Sequence, residues 1–345
     1  SSKIWICKRL MFPSRRIATS GGDVFRNEYS LLFDGTDSYV AFSTETFTGQ
    51  FTVAFWINGD LATNYTNIVT NDSGANNVRV WSTNGVIRMK INNENAATIT
   101  GISDDTWTHC VFTRDGADLV VGYKDGVQTG ATTTTAGDYV LTRIGHSSSS
   151  FPGKIDEVAI WDTALTSNQI KTLYNNREPF NAKNIALSNL KGYWRMGDGV
   201  LDDKQTDGLV ADQVNATLSL ERDDDFSSAS GWNGSCTVTG GQITKDSAGL
   251  VYRTDISLSD GDVIKFTVDT DTTGSGLTAY IGGVQKSISS TGVSVIYALT
   301  SASNQYVGFN NGDGAVFNSL KIEKVNGNAG VMVNFDGTDF KTDTH

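Results

Sequence analysis

Three groups of side chains in this 345-residue chain have the types and spacing to do chemistry. The first pairs aromatic rings with amides, the combination that stacks on pyranose faces and bonds their hydroxyls. Tyr65, Trp81 and Asn77 supply it in the N-terminal half, and Trp232, Tyr280 and Asn310 in the C-terminal half. Trp232 lies in Gly-Trp-Asn, where an indole more often plugs a sandwich edge than forms a platform; Trp56, Trp107 and Trp161 read as core. The second group is carboxylates. A retaining glycosidase needs two of them roughly 5.5 Å apart. Asp156 and Glu157 are adjacent, and adjacent residues of a regular strand point to opposite faces, so they do not suit that reaction. The third group is histidine. His109 follows Trp107 in an apolar run and reads as a structural hydrogen-bonding residue. His146 precedes Ser147 to Ser150, which is more simply a flexible turn than a nucleophile site. No glycine-rich phosphate cradle follows a strand. No enzyme is expected.

Strands must position these groups. Prolines number 3, Gly, Ser and Thr are abundant, and short apolar alternations recur throughout. Residues 153–176 are the most informative. Ile155, Glu157, Ala159 and Trp161 alternate with Asp156, Val158 and Ile160, which predicts a strand. Thr166 and Gln169 then form a capping box, and Ile170, Leu173 and Tyr174 make the stripe of one short helix. Upstream, Tyr29 to Phe42 reads as strand, Asp-Gly turn, strand, and Phe51 to Ile57 as a further strand. Strands are also predicted near residues 67–70, 77–82, 86–91 and 106–114, and a hairpin turns at Lys124-Asp-Gly.

In order, the chain shows Phe33-Asp-Gly-Thr-Asp-Ser-Tyr, Phe51-Thr-Val-Ala-Phe-Trp-Ile, Trp107-Thr-His, Tyr123-Lys-Asp-Gly, Ile144-Gly and Gly153-Lys-Ile-Asp-Glu-Val-Ala-Ile-Trp. This series resembles the laminin-G-like jelly rolls of the concanavalin A-like superfamily. The resemblance implies a β-sandwich over residues 28–176 whose first and last strands meet. It also implies a structural calcium ion on Asp-rich loops, for which Asp34, Asp37, Asp156 and Glu157 are the expected ligands. Glycoside hydrolases of that superfamily carry E-x-D-x-x-E on one strand, and no such run occurs here.

Residues 177–222 read as a connector with some structure. Residues 223–325 form a second β-sandwich that resembles carbohydrate-binding-module jelly rolls, and residues 326–345 a tail pairing with the connector. The segments starting at Gly192, Asp212 and Gly327, around the Gly231-Trp232 module, resemble virion proteins of aquatic bacteriophages. The expected fold class is therefore all-β: two antiparallel β-sandwich (jelly-roll) domains with an extended N-terminal arm over residues 1–27.

Charge sharpens the expectation for the arm. The net charge is −11, yet residues 1–22 carry +5 and no acid, leaving −16 on the remainder. Such an acidic body disfavours nucleic acid as a partner. Ile4, Trp5, Ile6, Leu10, Met11 and Phe12 are too apolar for so short a piece to stay in water. The arm therefore either adds a strand to its own sandwich or pairs with a neighbouring copy. Cys7, Cys110 and Cys236 form neither a disulfide framework nor a zinc motif. No apolar run reaches the roughly 20 residues of a membrane helix. The expected protein is a structural and adhesive component of a virion or an extracellular fibre, self-assembling and binding polysaccharide. The alternatives are a monomeric glycan-binding module and, less favoured, a glycoside hydrolase.

Overall fold

Two core-facing patterns, one for each sandwich, organise the chain. A computed structural model describes residues 25–63, 65–71, 73–82, 85–301 and 306–343. Ile4, Trp5, Ile6, Leu10, Met11 and Phe12 lie outside the described residues. The described residues are all-β apart from one short α-helix and single 3₁₀ turns.

The N-terminal region runs β1 (Tyr29–Asp34), β2 (Tyr39–Phe47), β3 (Phe51–Gly59), β4 (Asn67–Thr70), β5 (Asn77–Ser82), β6 (Val86–Ile91) and β7 (Glu94–Ile99). It continues through β8 (Thr108–Arg114), β9 (Leu119–Lys124), β10 (Val127–Gln128), β11 (Thr133–Thr134), β12 (Tyr139–Gly145), β13 (Pro152–Trp161) and α1 (Ser167–Tyr174). Strand β7 was not legible in the sequence, because Glu-Asn-Ala-Ala-Thr-Ile lacks bulky alternation. It forms because Asn92 and Asn93 take φ of 50° and 69°, the backbone of a tight hairpin onto β6. Thr166 caps α1 with a complete capping box through Gln169.

The first sandwich does not stop at residue 176. It recruits β14 (Leu190–Trp194) and β15 (Leu209–Val210), and, from beyond the second sandwich, β26 (Gly330–Val333) and β27 (Phe340–Thr342). One sheet has the order β10-β9-β8-β3-β13-β1-β27, with β14 also on β13; the other has β15-β26-β2-β12-β4-β5-β6-β7. Phe33, Phe55, Ile57, Val78, Val80, Phe112, Val158 and Ile160 fill the space between them. A glycine is required where β3 meets β13: a Cβ on Gly153 would lie 2.6 Å from the Gly59 Cα. On the outer face of the first sheet, Trp161, Ile170, Leu173 and Tyr193 bury α1 and the connector.

Between β15 and β26 lies the second sandwich, β16 (Thr217–Asp224), β17 (Cys236–Thr239), β18 (Gln242–Lys245), β19 (Val251–Arg253), β20 (Val263–Thr272), β21 (Thr278–Ile281), β22 (Val284–Ser287), β23 (Gly292–Leu299), β24 (Val307–Asn310) and β25 (Val316–Asn326). Phe266, Phe309, Phe317 and Ile322 centre its core. The sandwiches meet over Leu209, Val263, Tyr297, Val325 and Val331. Asn328 stitches the junction: its amide accepts from the Ser43 backbone at 2.8 Å and donates to Glu45 Oε1 at 2.7 Å, while its carbonyl accepts from Trp194 Nε1 at 2.9 Å. No helix among the described residues is long and apolar enough to cross a membrane.

Candidate functional site

Alternation in β5 and β6 decides what faces out. Val78, Val80, Ile87 and Met89 point into the core, so Asn77, Arg79, Trp81, Arg88 and Lys90 lie on the outer face. Tyr65 joins them from the loop before β4. Its N–H donates to the Val80 carbonyl at 2.8 Å, and the Val80 N–H donates to the Thr66 carbonyl at 2.9 Å. Tyr65 has φ of +68° and is 51% exposed. A bulky side chain in the left-handed region costs about 1–2 kcal/mol. The two hydrogen bonds to Val80 offset that strain and hold the large ring out towards solvent.

The Tyr65 ring meets Trp81 edge-on at 5.3 Å. The Arg79 guanidinium carbon lies 4.9 Å from the Tyr65 centroid, and that of Arg88 3.1 Å from the Trp81 centroid. Trp81 is therefore partly roofed by a cation, and Tyr65 is the freer ring. Beside them runs a groove of about 490 Å³ lined by Thr63, Tyr65, Asn67, Asn77, Arg79 and His146 among others. Asn77 donates to the Gly74 carbonyl at 2.6 Å, and its buried Oδ1 has no hydrogen-bond partner. Asn67 pins the opposite wall through Ser149 Oγ at 2.9 Å. Burial, then the Arg143 charge, holds the His146 imidazole below its ordinary pKa, and its Nδ1 accepts from the Ser148 N–H at 3.2 Å.

Burial depresses Arg79, and it depresses Arg88 to about 10, with Arg79 repulsion adding. The same two charges, after burial, depress Lys90. Among the described residues no carboxylate lines the groove. The arrangement offers an exposed ring, an unfilled amide acceptor and guanidinium edges, the parts that grip a saccharide.

A second cluster corrects the sequence reading. Asp156 and Glu157 do not point to opposite faces. The register of β13 against β3 slips between Asp156 and Ala159, and Glu157 takes φ of 48°. This β-bulge turns both carboxylates to the outer face, under the connector. Asp156 Oδ2 accepts from Asn27 at 2.8 Å; Glu157 accepts from the Tyr193 hydroxyl and from Arg195 Nε at 3.0 Å. Asp198 accepts from the Glu28 and Tyr29 N–H groups, each at 2.8 Å. Burial, then the Glu157 charge, raises Asp156 well above the carboxylate range; burial lifts Glu157 to about 7 against the pull of Arg195. A carboxyl near 7 has a general acid's strength, but both are buried and neither lines the groove by Tyr65.

The expected calcium ligands do not converge. Asp34 pairs with Pro152 and Leu31 with Ile155, so Asp156 lies four residues, about 13 Å, further along β13 than the partner of Asp34. Asp34 Oδ1 instead closes its own turn, accepting from Thr36 and Ser38 Oγ at 2.8 Å each, and from Asp37 at 3.1 Å. Among the described residues no three His, Cys, Asp or Glu side chains are grouped to hold a metal ion. Trp232 is half-buried: it stacks on Phe309 at 6.0 Å and its Nε1 donates to Asp224 at 3.2 Å. Tyr280 stands on β21 of the second sandwich opposite Gly308 and Gln285, apart from Tyr65 and Trp81. Sequence reasoning missed Arg79 and Arg88; their alternation with Val78, Val80, Ile87 and Met89 was the available signal.

Residues 34–171 match a family model described as the concanavalin A-like lectin/glucanases superfamily, in agreement with the motif series in β1, β3 and β13. No curated protein sequence matches the chain. Among solved structures, it is similar to a heptameric SAP-like pentraxin from Limulus polyphemus, at 18% identity and a TM-score of 0.36, over 44% of this chain and 83% of that one. It is similar to a putative carbohydrate binding protein from Bacteroides ovatus, at 20% identity and a TM-score of 0.42, over 55% of this chain and 56% of that one. Domain 4 of the arabinanase AbnA from Geobacillus stearothermophilus, in complex with arabinotriose, matches at 21% identity and a TM-score of 0.33, over 42% and 76%.

Proposed function

We propose that the first sandwich is a carbohydrate-binding module that takes a saccharide in the groove beside Tyr65. The observation that carries this is a groove lined by both the strained, half-exposed Tyr65 ring and Asn77, whose buried Oδ1 has no partner. A strained aromatic beside an unfilled amide is stable for folding only at a cost, and a sugar uses both. The match of residues 34–171 to a lectin and glucanase superfamily supports the same reading. Binding rather than cleavage is proposed, because the buried Asp156 and Glu157 pair does not reach the groove. Polysaccharide at a cell surface or in an extracellular matrix is the proposed partner, and the extracellular side the proposed location. Titration calorimetry against a panel of oligosaccharides, with the full chain and Tyr65→Ala, tests it. Binding that Tyr65→Ala weakens at least tenfold supports the site; equal binding by both chains refutes it.

A second role is proposed from charge. Residues 1–22 carry +5 and the remainder −16, which favours the arm lying on a sister copy in a virion component or fibre. Light scattering of the chain lacking residues 1–22 tests this; assemblies unchanged in size would refute it.

A further inference from the structure

We infer that the saccharide held beside Tyr65 is acidic, its carboxylate or sulfate bridging to the in-plane N–H edge of Arg79. The inference rests on the groove being a saccharide site and names the class of saccharide. Arg88 is 6% exposed, and buried cations are normally paired. Here Arg79 and Arg88 stand on one sheet face with Lys90, in a chain of net charge −11 that has acids to spare. Yet neither guanidinium forms an ion pair among the described residues, and the Nε of each is buried without an acceptor. Tyr65 and Trp81 satisfy the faces of these groups. A ring cannot satisfy their edges, because the N–H bonds lie in the guanidinium plane. Arg79 lines the groove itself, so an anion seated there is within reach of its terminal guanidinium N–H groups. The Asn77 Oδ1 then accepts from a hydroxyl of the same sugar. A neutral hydroxyl could also accept from these edges, but only an anion also offsets the uncompensated charge.

The test is titration calorimetry of the full chain with four probes: an oligogalacturonate, its full methyl ester, a sulfated heparin oligosaccharide and neutral xylohexaose. Arg79→Gln and Arg79→Lys are measured beside the parent, with circular dichroism melts to confirm folding. The expected result is oligogalacturonate binding at least tenfold tighter than its methyl ester. Arg79→Gln should lose about 10- to 100-fold, as for a charge-assisted hydrogen bond, and Arg79→Lys should keep part of the affinity. Preference for the heparin probe with the same Arg79→Gln loss supports the anion and assigns it as sulfate. Equal binding of acid, ester and xylohexaose overturns the acidic assignment and leaves the saccharide site standing. Binding of none of the four overturns both.

Discussion

The buried carboxylate pair gives a prediction with an unusual sign. Replacing Glu157 by Gln keeps its shape and removes its charge. Glu157 titrates near 4.5 in the unfolded chain and is lifted to about 7 in the fold, mainly by burial. A raised folded pKa contributes stability that is present in full below 4.5 and is lost as pH rises through 7. At about 1.4 kcal/mol per pH unit, that window is worth ~3 kcal/mol. The Arg195 ion pair, at 3.0 Å with side chains 12% and 4% exposed, argues the other way. Cutting one partner from a buried pair ordinarily costs about 3–5 kcal/mol. The position of the pKa says which effect wins: if the pair outweighed burial, Glu157 would fall below 4.5. Glu157→Gln should therefore match the parent at pH 5 and exceed it by up to ~3 kcal/mol at pH 8. Asp156 shifts in the same direction, through burial and then the Glu157 charge, so both proteins keep some loss of stability with rising pH, and the difference between them reports Glu157 together with its coupling to Asp156. Urea denaturation at pH 5, 6, 7 and 8 gives the comparison. A variant that is 3 kcal/mol weaker at pH 8, with an unaltered pH slope, would show that Glu157 is ionised throughout and the reasoning wrong.

Other expectations follow from single contacts. Tyr65→Gly should abolish saccharide binding and change stability by less than about 1 kcal/mol, since relief of left-handed strain offsets most of the lost contacts with Trp81 and Arg79, as thermal melting checks. Trp232→Ala should cost about 3 kcal/mol through its packing on Phe226 and Phe309 and its bond to Asp224, while saccharide affinity stays the same in calorimetry. Asn328→Ala removes the bonds to Ser43 and Glu45 and should cost about 2 kcal/mol in urea melts. Gly153→Val should cost about 3 kcal/mol or more by thermal melting, because its Cβ meets the Gly59 backbone at the centre of the first sheet.

Much of the first sandwich was legible. Apolar alternation in β3 and β13, the Asp34-Gly35 turn and the Thr166–Gln169 capping box are local signals, and each concerns residues within a few positions of one another. Tyr65, Trp81 and Asn77 were named as an aromatic and amide set from type alone. Their convergence depends on the Tyr65 loop hydrogen-bonding back onto Val80. Trp232 was named by the same logic, and it packs half-buried against the edge of the second core.

Local chemistry thus set the strands, turns and cap, because backbone preference and side-chain period act over a few residues. Tertiary structure decided every pairing across distance. It separated Asp34 from Asp156, although their strands are neighbours, through the register of β1 on β13. It turned Asp156 and Glu157 to the same face through one bulge, where regular alternation had parted them. It also stacked Arg79 and Arg88 on rings from two segments and left their edges open. Register and bulges depend on partners tens of residues apart, and the ring stacking on how a loop and the next strand fold back onto β5, so no reading of one segment contains them.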